Sequence, residues 1–322
     1  MAAITIGARR LDLRDGETVL DGLLRHGVDA MYSCRKGTCH ACLQRCVSGD
    51  VPVHAQRGLT DAQRANGDFL ACQCRPAGVL AIADPEEEPR VFAKVVANDR
   101  LTPTVARLRV APAQPMAYQA GQFLTVARSE DGVGRQYSLA SLPADPYLEM
   151  HVRRLERGRL SRWLYDEAAP GTWLELGPAS GTCCYTPGQP DRGLVLAGTG
   201  TGLAPLLGVA RDALSQGHEG PIHLFHGAVD LAGLYLQDDL FAMSCEYPNF
   251  LYHPSVLQGP TTFGIPVAPL TSVIAREAPP LAGWQAYVCG NDDIVQQLRL
   301  HLARAGVAAG AILSDSFLPA AA

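Results

Sequence analysis

Four cysteines in the first quarter of the chain restrict its fold more than any other feature. Three lie on one short stretch, Cys34-Arg-Lys-Gly-Thr-Cys39-His-Ala-Cys42, and 29 residues separate the third from Cys72. This C-x4-C-x2-C…C spacing puts three thiolates on one loop and takes the fourth from a distant segment, as a [2Fe–2S] cluster requires. A structural zinc site, which favours paired C-x2-C knuckles, and chance clustering are the alternatives. We predict that all four cysteines ligate a [2Fe–2S] cluster.

Length and charge predict several domains. A chain of 322 residues is longer than one hydrophobic core usually serves. An acidic, proline-bounded segment, Asp84-Pro-Glu-Glu-Glu-Pro-Arg90, is the first predicted linker. We predict domains at residues 1–88, 89–187 and 188–322. The middle one carries 12 Lys and Arg against 9 Asp and Glu, which suits a pyrophosphate but is too weakly basic to indicate nucleic acid.

Cysteine use and hydropathy predict a cytoplasmic protein that does not enter the membrane. A cluster needs free thiolates, which indicates a reducing compartment. The first ten residues lack the long apolar core of a signal peptide. One uncharged run, residues 193–210, is long enough to cross a bilayer, but its five glycines and Pro205 indicate strand, loop and helix instead.

The first domain resembles the β-grasp ferredoxin fold, an α+β architecture. Alternating residues at 3–6 and 9–13 predict a hairpin, and residues 18–26 predict an amphipathic helix that stops at Gly27. Strands are expected near residues 43–47 and 79–83. The resemblance covers about the first 85 residues and has one departure, because the family usually has Gly where this chain has His40. His tolerates left-handed backbone better than most residues, and His40 is either an exposed loop residue or an N–H donor near sulfur.

The strand pattern of the second domain predicts a small antiparallel β-barrel, and one of its segments resembles a flavin motif. Strand-like runs separated by turn residues occupy 91–97, 104–110, 122–128, 136–140 and 147–153. Among them, Arg135-Gln-Tyr137-Ser138 resembles the R-x-Y-S motif of the ferredoxin–NADP reductase superfamily. The resemblance implies that Arg135 pairs with the FAD pyrophosphate, Tyr137 packs on the isoalloxazine and Ser138 bonds near N5. A plain strand with an outward Arg is the alternative.

Two further segments of this domain resemble the family's FAD site. Gly158-Arg-Leu-Ser161 precedes a helical pattern, and a Gly turn with a hydroxyl at a helix start can bind an anion through free backbone N–H groups. The family places the pyrophosphate there, together with the segment His151-Val152-Arg153. The alternative for Ser161 is an ordinary helix N-cap.

The strand and helix pattern of the third domain is typical of an α/β fold with a parallel sheet. A short apolar strand, residues 193–197, runs into Gly198-Thr199-Gly200-Thr201-Gly202 and a helix at 206–214. Such a turn offers helix-terminal N–H groups to a dinucleotide diphosphate. It resembles the superfamily's nucleotide turn, although a tight turn with no ligand is the alternative. Later elements are a strand at 221–226, a helix at 234–240, a strand ending near Tyr252, a strand at 286–289 and a helix at 294–304.

Three residues near the end of the chain are assigned by the same resemblance. Cys289 and Gly290 resemble the motif on the nicotinamide side of the family's site, where the cysteine flanks the hydride path. A buried strand thiol is the alternative for Cys289. Phe317 is the candidate for the family's terminal aromatic that shields the flavin, and an unattached tail is the alternative.

The distribution of cations predicts NADH as the electron donor. The 64 residues between Arg211 and Arg276 contain no Lys or Arg. A 2′-phosphate needs a cation there, whereas a free 2′-hydroxyl suits a carboxylate. Asp230, just after Gly227, is the candidate ribose contact, and a solvated loop acid is the alternative.

The three resemblances occur in the order of the reductases of multicomponent oxygenases, of the benzoate dioxygenase reductase type. That family passes electrons from NADH through FAD and a [2Fe–2S] cluster to an oxygenase or hydroxylase component. The resemblance places Tyr137, Ser138, Cys289 and Phe317 nearest the hydride path. Two alternatives stay open: the same electron path serving a non-oxygenase partner such as a sugar deoxygenation enzyme, and a carrier or redox-sensing module without turnover.

Overall fold

The chain folds into two compact units, Met1–Arg90 and Val91–Ala322. The structure is a computed structural model that describes residues 2–28, 30–32, 34–38, 40–84, 90–262 and 264–317. Among these residues it contains three sheets, one in the first unit and two in the second. No helix in the described part of the chain combines the length and the apolar character that crossing a bilayer requires.

The first unit is the predicted α+β domain with a mixed five-stranded sheet. The strand order is β2-β1-β5-β3-β4, with β1 and β5 parallel and the other pairs antiparallel. The elements in chain order are β1 (Ala3–Ile6), β2 (Arg9–Asp12), α1 (Val19–Arg25), β3 (Leu43–Ser48), α2 (Asp61–Ala65), β4 (Asp68–Leu70) and β5 (Val79–Ile82).

The predicted hairpin and helix of this unit are confirmed. The Thr18 side chain caps α1 by accepting the backbone N–H of Asp21, and Gly27 follows the helix at φ 71°. The helix buries Leu20 and Leu23 in the core of the unit together with Ile4. Helix α2 and strand β4 were not predicted, because both are very short and their apolar residues show no clear period.

The first sheet of the second unit is the predicted antiparallel barrel. Its strand order is β10-β7-β6-β11-β8-β9, and an isolated bridge between Leu139 and Met150 joins the two ends. Inward side chains form one apolar core. The final strand was not predicted from the sequence. The elements are β6 (Val91–Thr102), β7 (Val105–Pro112), β8 (Phe123–Arg128), β9 (Gly134–Ser138), β10 (Leu148–Arg153), α3 (Arg159–Asp166) and β11 (Trp173–Leu176).

The second sheet of this unit is parallel, as predicted, with the order β14-β13-β12-β15-β16. Its strands are buried runs flanked by helices, which is typical of α/β folds. The predicted boundaries near residues 88 and 187 stay predictions. The elements are β12 (Leu194–Thr199), α4 (Leu203–Ser215), β13 (Ile222–Ala228), α5 (Gln237–Glu246), β14 (Phe250–Val256), α6 (Leu270–Glu277), β15 (Gln285–Asn291), α7 (Asp292–Arg304) and β16 (Ile312–Phe317).

Three details of this sheet differ from the sequence prediction. The helix predicted at 234–240 begins only at Gln237, because a 3₁₀ turn and a left-handed Leu236 precede it. The third strand does not end near Tyr252 but runs over Phe250–Val256. Strand β16 was not predicted, since its polar residues, among them Asp315, break the apolar pattern.

Candidate redox cofactor sites

Three of the four predicted cluster ligands lie on buried loops of the first unit. Cys34, Cys42 and Cys72 are buried, whereas Cys39 lies outside the described residues. Among the described residues, no three His, Cys, Asp or Glu side chains are grouped around a single metal ion. A [2Fe–2S] cluster does not need such a group, because its ligands are shared between two irons.

Hydrogen bonds in the loop point at sulfur. The backbone N–H groups of Lys36 and Thr38 donate to Cys34 Sγ at 3.3 and 3.4 Å, and the Thr38 hydroxyl donates to it at 3.3 Å. Gln73 Nε2 donates to Cys72 Sγ at 3.5 Å. The hydrogen bond with Cys42, opposed by burial, lowers the pKa of the Cys72 thiol to about 7. Donors aimed at sulfur favour thiolates over thiols, so the described residues fit a cluster.

His40 has a left-handed backbone, with φ 60°, as expected at a position where the resembled family usually has Gly. The interpretation of His40 as an exposed loop residue was wrong, because only 5% of its surface is accessible. Its ring lies near Gly58, where an added Cβ would come within 3.4 Å of His40 Nε2. Burial lowers the pKa of His40, which favours the neutral imidazole.

Strand β9 carries the three residues of the flavin motif. Ser138 is buried, and its Oγ donates to Asp315 Oδ2 at 2.8 Å. Tyr137 is half-buried and packs against the barrel core. Arg135 is half-buried, and its guanidinium donates to the Gly134 carbonyl at 2.5 Å. The strand thus meets the parallel sheet at Ser138, where the hydroxyl contacts a residue of β16.

Strand β10 contains the three residues of the second flavin segment, and their side chains lie in different surroundings. The side chain of Val152 lies in the barrel core. His151 points the other way, is fully buried, and bonds Tyr235 of the nucleotide domain. Arg153 is exposed, and its guanidinium lies beside Gly200, 3.8 Å from where a Cβ would stand. Direct contacts of these three residues with FAD stay predictions.

Helix α3 begins one turn earlier than its pattern suggested. Gly158 is the N-cap and makes no side-chain cap bond, so Ser161 lies inside the first turn. The N-cap interpretation of Ser161 was therefore wrong. Its hydroxyl accepts the Leu155 N–H at 3.4 Å instead. The space at Gly158 is filled by that hydroxyl, since an added Cβ would lie 2.2 Å from Ser161 Oγ.

The predicted nucleotide turn joins β12 to α4 as a tight strand–turn–helix unit. Gly198 and Gly202 pack against strand β15, because a Cβ at either position would lie 2.6 or 2.3 Å from the Cys289 carbonyl oxygen. Gly200 has a left-handed backbone, with φ 54°. Thr199 and Thr201 alternate with these glycines and are half-buried. Backbone N–H groups at the start of α4 can face an anion here, so the turn fits a dinucleotide diphosphate.

Cys289 lies in a buried cluster of polar and sulfur groups that is linked to Ser138 through Asp315. Its Sγ is 3.4 Å from Cys183 Sγ, and it pairs with Asp315 in the β15–β16 register. Burial raises the pKa of the Cys289 thiol well above its usual value. Gly290 follows at φ 138°, where an added Cβ would approach Thr199 Oγ1 to 3.0 Å. This buried cluster therefore links β9, β15 and β16 through Ser138, Cys289 and Asp315.

Phe317 and Asp230 lie at the carboxyl-terminal edge of the parallel sheet. Phe317 is half-buried in β16 opposite Asn291, so the unattached-tail interpretation was wrong for this residue. Asp230 is exposed just after β13 and caps a 3₁₀ turn by accepting the Gly233 N–H at 3.2 Å. Asn291 caps α7 by accepting the Asp293 backbone N–H.

Sequence reasoning missed three residues in these sites. Asp315 was overlooked because β16 was not recognised as a strand, although a lone acid between apolar residues and a terminal aromatic was an available signal. Cys183 and Tyr235 gave no local signal, because their partners lie 106 and 84 residues away along the chain.

Three family models match the chain in succession. Residues 4–77 match the 2Fe-2S iron-sulfur cluster binding domain, residues 93–185 the oxidoreductase FAD-binding domain, and residues 196–299 the oxidoreductase NAD-binding domain. These matches agree with the fold and with the cofactors predicted for each region.

Similar proteins match almost the whole chain. The reductase component of the naphthalene 1,2-dioxygenase/salicylate 5-hydroxylase systems of Ralstonia sp. is 33% identical over 317 residues, 96% of each chain. The aromatic O-demethylase reductase subunit of Amycolatopsis sp. is 33% identical, with coverage of 91% and 92%. The crystal structure of the Amycolatopsis cytochrome P450 reductase GcoB aligns over all of both chains with a TM-score of 0.72 and 30% identity.

Proposed function

The chain belongs to the family of oxygenase-system reductases that fuse a 2Fe-2S cluster binding domain to FAD-binding and NAD-binding domains, and we propose that it passes electrons from NADH to an oxygenase or hydroxylase component. When bound, FAD accepts an electron pair as hydride and releases the single electrons that a [2Fe–2S] cluster carries. One observation carries the proposal: the flavin-motif residue Ser138 bonds Asp315, which pairs in register with Cys289.

In this proposal the chain positions the reacting groups and supplies no general base. The Asp315 carboxylate accepts the Ser138 hydroxyl hydrogen and fixes its rotamer, so toward a flavin Ser138 Oγ would act as a hydrogen-bond acceptor. Tyr137 offers a half-buried aromatic face for a flat ring. Cys289 would flank a bound nicotinamide, and Phe317 would cover a bound flavin from the edge of the sheet.

The proposed pyrophosphate contacts of FAD come from cations and a helix start. Arg135 and Arg153 provide guanidinium forks, which suit phosphate oxygens. The first turn of α3, from Gly158 to Ser161, adds backbone N–H groups and the positive end of the helix dipole. His151 and Val152 precede Arg153 in β10, and both are buried.

The proposed NADH site lies at the turn formed by residues 198–202. The two packed glycines bring the start of α4 close to Cys289, so a dinucleotide bound there has its nicotinamide end near the flavin motif. Asp230 follows β13 at the same edge of the sheet, and we propose that it accepts from a ribose hydroxyl. We infer a preference for NADH over NADPH, because no cation occurs between Arg211 and Arg276.

The proposed exit for electrons is the cluster held by Cys34, Cys39, Cys42 and Cys72. Similar proteins are named as components of a naphthalene dioxygenase system, an aromatic O-demethylase and a phenol hydroxylase. We therefore propose an oxygenase or hydroxylase component as the acceptor. The need for free thiolates places the protein in a reducing compartment, which we propose is the cytoplasm.

Anaerobic titration of the purified protein with NADH tests this function. We expect NADH to bleach both the flavin and the iron–sulfur absorption, and NADPH to do so far less efficiently. Cytochrome c reduction then reports one-electron transfer, and ferricyanide reduction reports turnover of the flavin. Colourless protein after reconstitution, or no bleaching by NADH, would contradict the proposal.

The identity of the acceptor needs a separate measurement. Reoxidation of the NADH-reduced protein is followed in the presence of candidate partners encoded near it. Acceleration by an oxygenase component supports the proposal, whereas acceleration only by a sugar deoxygenation enzyme favours that partner instead. Bleaching without any steady-state turnover indicates a carrier or sensor module.

A further inference from the structure

We propose that Tyr235 and His151 form a hydrogen-bonded relay that positions the Gly200 carbonyl, and thereby the nucleotide turn, for NADH. In this assignment His151 is a positioning residue for NADH and does not touch FAD. The inference rests on the proposed function of residues 198–202 as the NADH site. We call Arg109, Glu149, His151 and Tyr235 the Gly200 relay.

At the Tyr235 end of the relay, the chemistry of the bonded groups fixes which atom donates each hydrogen bond. The Tyr235 hydroxyl lies 3.3 Å from the Gly200 carbonyl oxygen and 3.0 Å from His151 Nδ1. A carbonyl only accepts, so the single hydroxyl hydrogen of Tyr235 goes to Gly200. The hydroxyl oxygen must then accept from His151, so Nδ1 of that ring carries a hydrogen.

The back of the relay holds the imidazole in place. Glu149 Oε1 lies 3.4 Å from His151 Nε2, and Glu149 Oε2 accepts from Arg109 Nε at 2.9 Å. Burial raises the pKa of Glu149, but hydrogen bonds and charge from His151 and Arg109 outweigh it and lower the pKa to about 2. The His151 side chain is fully buried, so it has no room to turn toward a ligand.

The relay acts on Gly200, the residue of the turn whose orientation is not fixed by packing. Gly198 and Gly202 are fixed by contact with the Cys289 carbonyl, whereas Gly200 is the left-handed residue between them. Its carbonyl accepts both the Leu203 N–H and the Tyr235 hydroxyl. In a trans peptide the C=O and the next N–H point in opposite directions. Holding the Gly200 carbonyl toward Tyr235 therefore aims the Thr201 N–H away from the protein interior, where a diphosphate oxygen can accept it.

The relay also spans two sheets of the second unit. Glu149 and His151 belong to barrel strand β10, whereas Tyr235 follows β13 of the parallel sheet. Tyr235 packs edge-on against the rings of both His151 and His226. The Tyr235 hydroxyl thus links the barrel strand to the turn.

Tyr235→Phe in the full-length protein loaded with both cofactors is the decisive variant. It removes only the hydroxyl, and we expect about three- to tenfold weaker NAD⁺ binding by calorimetry, the effect of one hydrogen bond. The KM for NADH should rise by a similar factor with kcat unchanged, and FAD and iron content should equal those of the wild type. Tyr185→Phe is the matched control, because it removes a buried hydroxyl that bonds a histidine outside the relay, His218 Nδ1, at 3.0 Å.

His151→Phe distinguishes the relay from direct FAD binding. If the relay operates, this variant keeps its FAD, and the double variant binds NAD⁺ as weakly as either single one, because both changes break the same path. Loss of FAD from His151→Phe but not from Tyr235→Phe would overturn the inference. Equal NAD⁺ affinity in Tyr235→Phe and Tyr185→Phe would also overturn it. Wild-type protein that fails to bind NAD⁺ would instead refute the proposed function and, with it, the relay.

Discussion

Two short loops of this molecule, one in each unit, present backbone N–H groups to negative charge but are stabilised in different ways. The thiol loop around Cys34 contains left-handed residues at Arg35, Gly37 and His40. Two of these are not glycine, which costs about 1–2 kcal/mol each. The nucleotide turn has a single left-handed residue, Gly200, and it is a glycine.

The difference shows where each loop obtains its stability. The nucleotide turn is fixed by contact with β15, so it is formed before a ligand arrives. The thiol loop concentrates strain and aims its donors at sulfur, so ligand binding must compensate for the strain. We infer that the cluster is part of the fold of the first unit, whereas NADH binds to a turn that already has its final shape.

The largest expected effect is in the thiol loop. Cys42→Ser removes a cluster ligand, and we expect loss of the iron–sulfur absorption and a lower Tm of the first unit. Cytochrome c reduction should fall by at least about tenfold, because electrons then lack their exit. Cys46→Ser is the control, since Cys46 lies outside the ligand spacing and is half-exposed. A Cys42→Ser protein with full cluster absorption would contradict the assignment of the ligands.

Gly202→Ala tests whether the nucleotide turn is preformed by packing. The added methyl group meets the Cys289 carbonyl at 2.3 Å and the Gly290 nitrogen at 2.9 Å, neither of which is a flexible side chain. We expect the free energy of unfolding of the second unit to fall by about 3 kcal/mol, measured by urea denaturation without NADH. Gly310→Ala, where the methyl group meets open space, should change it little. Equal stability of the two variants would show that the turn is not held by packing.

Glu149→Gln tests the buried charges behind the nucleotide turn. Because the pKa of Glu149 is lowered to about 2 in the folded protein, its carboxylate stabilises the fold fully above pH 4.5 and loses this effect as the pH falls toward 2. We expect the variant to be less stable by about 2–3 kcal/mol at pH 7. Its unfolding free energy should approach that of the wild type in acid. A gap that stays constant down to pH 3 would rule out this charge as its source.

The smallest expected effect is Gly37→Ala in the thiol loop. Gly37 has φ 75°, and an added Cβ meets the flexible Gln73 side chain at 2.9 Å and makes an ordinary contact with Leu70 Cδ1 at 3.5 Å. We expect a loss of about 1 kcal/mol in the first unit, from backbone strain. Gly78→Ala, in open space within the same unit, is the control. If Gly37→Ala cost as much as Gly202→Ala, the contrast between a strained loop and a packed turn would fail.

Local patterns allowed much of the fold to be predicted from sequence. The cysteine spacing, the Thr18-to-Gly27 helix and the apolar strand before Gly198 each depend on residues close in the chain. The contacts that build the site are of another kind. Ser138 and Asp315 are 177 residues apart, and His40 is buried by residues that no local pattern identifies. Long-range contacts of this kind follow from topology and packing, which a single sequence does not reveal.

The Ser138–Asp315 hydrogen bond has a consequence for the newly made protein. At roughly 5–20 residues per second, a ribosome delivers Asp315 about 10–35 s after Ser138. During that interval the barrel can close while β16 is still missing from the edge of the neighbouring sheet, so the Ser138 end of β9 faces solvent. Flavin can therefore reach β9 during synthesis, before the final strand covers that end.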